Sequence, residues 1–427
     1  MENKSEKFNF MNQLDKRKSY ILFIAFIIVL LFVLRRNKAY VFVLMTISIF
    51  SLFKYDPISK VNKISRLFSF FWIYYLLTTL LNFYINPQYF SIDAFYEFIG
   101  RCSIIFSTCI LITIAKENYD YYFILFRNFG LLLCVLGLIE FITHNSLFYS
   151  ITTVDTKDWQ LAVFGTSQFR IFTIFLHPIV YGMFLVILYW VIRNYPIKNY
   201  YLNKVFILLI VINLFATQSR SAWIPFVVTN IIDLLVKKNK NNASLNLKII
   251  FRRYIFCCIT LMAIIVFREQ IIQAINSIII RFNLVLDPNS IDGSRTQRLG
   301  ALQNVCSYIL ENPMKALLGN GLGYSKIFMI NHPVNVGFNT VDNQYLTSIL
   351  EAGIVGLSFL IAILCTILIN IKKYYVSRSN KVAIMSIVTI YFCMYFYEGF
   401  NWYSTLYLLT VFIGMINEKQ SYKIYMK

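Results

Sequence analysis

The sequence predicts an all-α polytopic integral membrane protein with about 12 transmembrane helices and one large extracytoplasmic loop. Three observations predict it. The 427 residues are 58% hydrophobic and 14% charged, with a mean hydropathy of +0.62, where soluble domains carry about 25% charged residues. Forty Phe and 30 Tyr make the chain 18% aromatic, and Tyr favours membrane interfaces. The net charge of +20 is dispersed in short basic clusters between apolar runs, which is the loop pattern of a membrane protein and excludes a nucleic-acid-binding stripe.

Apolar runs of spanning character cover 20–34, 39–53, 67–84, 95–115, 121–143, 172–192, 204–218, 222–236, 249–267, 345–370, 382–398 and 403–416. The first follows a basic N-terminus and ends in Leu34-Arg35-Arg36. With no small-residue cleavage site after it, it reads as an uncleaved helix and not as a signal peptide. Placing the N-terminus in the cytoplasm puts 26 of the 40 Lys and Arg in cytoplasmic segments and 12 outside, with Arg101 and Arg127 inside spans. The positive-inside rule therefore puts both termini in the cytoplasm. Arg35, Arg36 and Lys38 fall outside by this count. Were the first two short helices one broken element, the parity downstream would reverse. The whole of 1–427 reads as one transmembrane domain. Residues 268–344 form its large external loop, and 144–171 a smaller one.

The eight cysteines make no CxxC and no Cys/His cluster, which argues against a zinc or redox site and against a disulfide framework. Chemistry is sought instead among the cations and acids of the external segments. Arg220, inside "TQSRSAW", stands between two lipid-compatible runs. An arginine there either snorkels to the interface or is held for an anion, with Thr217, Ser219 and Ser221 as hydroxyl neighbours. In "DGSRTQRLGALQNVCSYILENP", Ser294 and Gln297 fit a capping box, and Leu299, Leu302, Val305 and Ile309 recur at helical spacing until Pro313. Arg295 and Arg298, three apart, share one face of its first turn. With the free N–H groups they suit an anion, or lipid phosphates if the helix lies on the membrane.

The glycines of "LLGNGLGYS" suit tight turns or close backbone approach and are no dinucleotide fingerprint. Asp342 is placed to cap the tenth span or, facing a cavity, to act as a base. Arg170 and His177 stand at the entrance of the sixth span. Glu140, Glu351 and Glu398 are acids near external span ends, and none of them stands out.

Together these segments resemble the O-antigen polymerase and ligase superfamily, bacterial membrane enzymes that assemble lipid-linked polysaccharides. Four elements in order carry the resemblance: Arg170 to Pro178, Thr217 to Trp223, Gly293 to Ser325, and "DNQYLTSILEAGIVGL" from Asp342 to Leu357. The resemblance implies a donor glycan on a polyprenyl diphosphate at the outer face of the bacterial cytoplasmic (inner) membrane. Negative charge grows on the leaving diphosphate, and arginines aimed there stabilise the transition state. Arg220 and Arg295 match arginines with that role in the family's ligases. Arg298 and Arg170 join them as candidate diphosphate ligands.

No metal ligand set or other cofactor is implied. Ligases usually carry His before the Asn of the last motif. Asp342 before Asn343 is common in the polymerase branch, which makes Asp342, and after it His332, the candidate base. The expected activity is that of a membrane glycosyltransferase polymerising repeats for capsule, exopolysaccharide or O-antigen. The alternatives are ligase-type transfer to another acceptor, or a flippase for the same lipid-linked unit. Expected partners are undecaprenyl-diphosphate-linked oligosaccharide, membrane lipids and a chain-length regulator.

Overall fold

The structure, a computed structural model, describes residues 17–31, 39–54, 62–87, 92–115, 119–149, 164–166, 169–237, 293–335, 338–375 and 377–416. Among the described residues it is helical, with no strand. Helix α1 covers 17–31, followed by α2 (Ala39–Lys54), α3 (Lys63–Ile85), α4 (Ile92–Ala115) and α5 (Asp120–Thr143). Next come α6 (Pro178–Asn194), α7 (Tyr200–Ala216) and α8 (Arg220–Lys237). Then follow α9 (Gly293–Glu311), α10 (Pro313–Leu318), α11 (Tyr324–Asn331), α12 (Gln344–Ile369), α13 (Arg378–Met394) and α14 (Tyr403–Met415).

Every predicted span except 249–267 falls on a helix; that one, with most of the loop before 293, lies outside the described residues. Among the described residues four helices are long and apolar enough to cross a membrane: α3, α4 from Ala94, α5 and α12. Shorter apolar helices include α6, α7 and α14. Two predicted boundaries move. In the stretch 172–192 a short 3-10 turn (Thr173–Phe175) comes first and the α-helix begins only at Pro178, because the X-Pro bond keeps His177 extended and its ring nitrogen caps the helix by accepting from Ile179 N at 3.3 Å. The stretch 382–398 stops being helical at Met394, leaving 395–402 as a connection that carries the site.

Helices α6 and α13 pack against each other at the centre, with nearly every side chain of both buried. Close approach is bought with small residues, as expected between helices in lipid: a methyl on Gly182 would lie 2.6 Å from the Ala222 Cβ of α8. Apolar side chains such as Phe70, Leu81, Leu132 and Leu235 face outward, while buried Asn213 bonds across helices to Cys134 O (3.0 Å) and to the Tyr181 hydroxyl (3.0 Å). Outward apolar and inward polar is the pattern a hydrocarbon solvent selects.

One end of the bundle is tied by Arg193–Asp233 (2.7 Å), Tyr375–Asp233 (2.5 Å) and Tyr195–Asp120 (2.7 Å). The other gathers residues 144–149, 169–177, 217–219, 293–335, 338–343 and 395–402. There α9, α10 and α11 build a small second core on the first turns of α12, from Ala301, Val305, Tyr308, Phe328, Val341 and Leu350 among others. The buried face of α9 is Gln297, Ala301, Val305 and Tyr308, whereas Leu299 and Leu302 stay exposed. The helical spacing was legible in the sequence, but the stripe that packs is offset from the leucines.

Candidate active site at one end of the bundle

Two glycine motifs form one clasp. Helix α12 breaks at Gly353 (φ 72°, ψ −179°), which releases the carbonyls of Leu350 and Glu351 from their usual helical partners. Asn320 N donates to Leu350 O (3.0 Å) and Gly321 N to Glu351 O (2.8 Å). A Cβ on Gly319 would meet backbone atoms of residues 351–353 at 2.5 Å, and one on Gly353 would meet Leu317 O at 2.2 Å. Only glycine allows that approach together with positive φ. The predicted close approach is thus to the chain's own backbone. Glu351 locks the clasp by accepting from Gly323 N (3.0 Å), Ser325 Oγ (2.6 Å) and the Tyr75 hydroxyl.

The clasp fixes the start of α12, where the sequence expectation needs correction. The cap is Asn343, whose side chain accepts from Tyr345 N (2.9 Å) and Leu346 N (3.3 Å), and not Asp342. Asp342 stands one residue earlier, half-buried, at φ 53°, a left-handed conformation that Asp tolerates. Its carboxylate accepts from Thr340 Oγ1 at 3.0 Å. Relieved of capping, it retains acceptor capacity for other hydroxyls.

Glu398, from the connection after α13, holds this segment. Its Oε1 accepts from Val341 N (2.9 Å) and Thr347 Oγ1 (3.2 Å), and its Oε2 from Asn401 Nδ2. Asn401 Oδ1 in turn accepts from Arg101 Nη2 at 2.5 Å. Gln344 Oε1 accepts from Phe400 N (2.8 Å). Burial pushes the Glu398 carboxyl up to about 7; the Val341 N–H works against that, and the charges of Glu351 and Asp342 add to it.

The first turn of α9 docks on the same segment. Gln297 donates to Thr340 O (2.7 Å) and accepts from Asn335 Nδ2 (3.1 Å), so its side chain bridges to the 335–340 segment; the Ser294 side chain of the expected capping box lies outside the described residues. Arg298 donates to Phe396 O (3.1 Å), its guanidinium 5.5 Å from the Phe396 ring centre. Arg295 lies on the first turn of α9, and its side chain is outside the described residues.

Arg170 and Arg220 approach from the other side. Arg170 Nε donates to Thr217 O (3.0 Å), pinning the short α7–α8 connection. The segment carrying Arg170 is set by Glu140, which accepts from Phe172 N (3.3 Å), Thr173 N (2.9 Å) and Leu147 N (3.0 Å). The hydroxyls around Arg220 are engaged locally: Thr217 Oγ1 with Leu214 O (2.7 Å), and Ser219 with Ser221 (2.7 Å). Half-buried Arg220 opens α8. Its neighbour Ser221 accepts from the Cys393 thiol at 3.2 Å, while Arg298 reaches Phe396 three residues on.

The last turn of α13 and the connection 395–402 thus touch the segments of Arg220, Arg298 and Arg101, and that of Arg170 joins through Thr217. His177 completes the rim with its ring 5.0 Å from Trp402. His332 is exposed and packs on Phe328 (4.7 Å). Its carbonyl is bonded to Asn304, two turns or roughly 10 Å along α9 from Gln297.

Sequence reasoning noted Glu398 and Arg101 without giving either a role, and missed Asn401 and Gln344. The available signal was an ionisable residue inside a span and a short acid-bearing connection between two apolar runs, each a functional marker in a membrane. Among the described residues no group of three or more His, Cys, Asp and Glu gathers in metal-binding proximity.

Residues 205–361 match the family described as O-antigen ligase. The match runs from α7 into α12, and takes in Arg220, Arg298, the glycine clasp and Asp342, while the 393–402 connection lies beyond it. No curated protein matches the chain.

Proposed function

We propose that this chain, which carries an O-antigen ligase family domain over residues 205–361 and is consistent with membership of the O-antigen polymerase and ligase superfamily, polymerises lipid-linked oligosaccharide repeats. The family supports a membrane glycan polymerase- or ligase-type role on lipid-linked oligosaccharide. The finer reading is a repeat-unit polymerase at the outer face of the cytoplasmic membrane, with both termini inside. The basic residues concentrated in the connections at the other end of the bundle support that orientation.

One observation carries the reading. Asp342, presented in a left-handed turn and excused from capping by Asn343, stands at the bundle end where Arg220, Arg298 and Arg170 are anchored. In the proposed step the hydroxyl of an acceptor repeat attacks the anomeric carbon of the donor chain. The anomeric C–O bond breaks, polyprenyl diphosphate leaves with the electron pair, and Asp342 takes the hydroxyl proton. Arg220 and Arg295 receive the growing charge on the diphosphate. Arg298 and Arg170, each holding a main-chain carbonyl of this bundle end, add positive charge beside the same anion. The partner set is the lipid-linked oligosaccharide, surrounding lipid and a chain-length regulator.

The test is reconstitution of the purified chain in vesicles with polyprenyl-diphosphate-linked repeats. A ladder of repeats, with one polyprenyl diphosphate released per joint, is the expected result. Release only when a lipid or protein acceptor is added would favour the ligase reading, which the family description also supports.

A further inference from the structure

The side chain behind Asp342 is built for a task of its own. Glu398 is 7% exposed and outside the stretch that matches the ligase family. Three donors meet its carboxylate: Val341 N and Thr347 Oγ1 on one oxygen, Asn401 Nδ2 on the other. These donors flank Asp342 on both sides in sequence and tie it to the connection that precedes α14. The Asn401 amide is oriented by Arg101, whose Nη2 occupies its oxygen, so only its NH2 is left to face Glu398. Arg101, 4% exposed on α4, is accompanied by Glu97 at 3.6 Å.

We propose that Glu398 is a positioning residue: through the donor–acceptor chain Arg101–Asn401–Glu398 it clamps residues 341–347 and so holds Asp342 where an acceptor hydroxyl can reach it. The proposal rests on the reading of Asp342 as the base.

The clamp has a polarity that can be inverted. The amide of a Glu398→Gln variant, its oxygen kept on Val341 N, turns a donor toward the NH2 of Asn401, and two donors face each other; a protonated carboxyl weakens the same contacts by giving up the negative charge the donors hold. Burial and the nearby Asp342 and Glu351 carboxylates favour that protonated form, with the carboxyl at about 7. The Val341 N–H and Thr347 hydroxyl oppose it. Arg101 acts from α4 through Asn401, and Arg298 from α9 through the Phe396 carbonyl. The clamp is therefore complete above about pH 7 and loosens below it. Adding Asn401→Asp to the amide variant restores the order of donors and acceptors. The new carboxylate accepts from Arg101 on one side and from the Gln amide on the other.

The experiment measures polymer formation by the full-length chain in vesicles between about pH 6 and 8. It also measures amide exchange of residues 338–347 without substrate. Wild type should slow as pH falls through 7. Glu398→Gln should be on the order of 100-fold slower, as expected for misplacement of a reacting group, flat with pH, and faster in exchange. The double variant should regain most of the rate and the protection while staying flat with pH. A Glu398→Gln variant with wild-type rate, pH slope and exchange would overturn the positioning role, as would a double variant no better than the single. Faster exchange with undiminished polymer would instead overturn the assignment of Asp342 as base, and with it the reading on which the clamp's purpose rests.

Discussion

Arg220→Ala should lower polymer formation by a factor of about 100 to 1,000, the loss seen when one preorganised transition-state donor is removed, with the protein still present in the membrane at its normal level. The side chain opens α8, where the positive end of the helix dipole already favours an anion. It is half-buried, so its field is less screened than that of a surface cation. The hydroxyls beside it are occupied by one another and by Leu214 O, and the guanidinium is the cationic group this loop contributes.

Arg220→Lys should recover only part of the loss, because the ammonium keeps the charge but not the planar fork that meets two phosphate oxygens. The expected kinetic signature is a fall in kcat and kcat/KM together, since the interaction grows with charge on the leaving diphosphate. Rates of polyprenyl diphosphate release from reconstituted protein check it. Arg298 and Arg170 are poorer probes: removing either also frees the carbonyl of Phe396 or Thr217, so a loss there mixes chemistry with loop disorder.

Asp342→Asn should cost a factor of about 100 to 10,000, the span of general acid–base contributions. The substitution isolates proton acceptance. Asparagine tolerates φ 53° as aspartate does, and its amide oxygen can still accept from Thr340 Oγ1. The Asn343 cap is untouched. Alanine would be a worse choice, because a left-handed backbone strains it and the segment could move. Polymer-forming rates of the asparagine variant near those of wild type would remove Asp342 from the mechanism.

Much of the helix order was legible because lipid imposes a one-dimensional signal: long apolar runs, with cations between them. The glycines of 319–323 were legible as close-approach residues. Their target was not, because the broken turn they clasp lies some thirty residues later and is marked only by Gly353 in a stretch that otherwise reads as unbroken helix. The cap of α12 was misplaced by one residue because Asp and Asn are equally good caps by type, and only the backbone shows that Asn343 has the extended conformation a cap needs.

Gln297 fitted a capping box by spacing, yet bonds Thr340, 43 residues away. Glu398 was least visible of all. Nothing local distinguishes it from Glu140, another buried acid that accepts main-chain N–H groups in a neighbouring part of the same bundle end. What singles Glu398 out is the company of Val341, Thr347 and Asn401, brought together from two distant parts of the chain by packing that no periodicity encodes.

The central claim, that the chain joins repeats and does not move finished polymer or flip single units, is tested most directly by the lipid-linked glycans of a deletion strain. Mass spectrometry of the extracted polyprenyl diphosphates should show single repeats facing outward with no longer species. Long polymer stranded on the carrier lipid, or single repeats held at the cytoplasmic face, would contradict it.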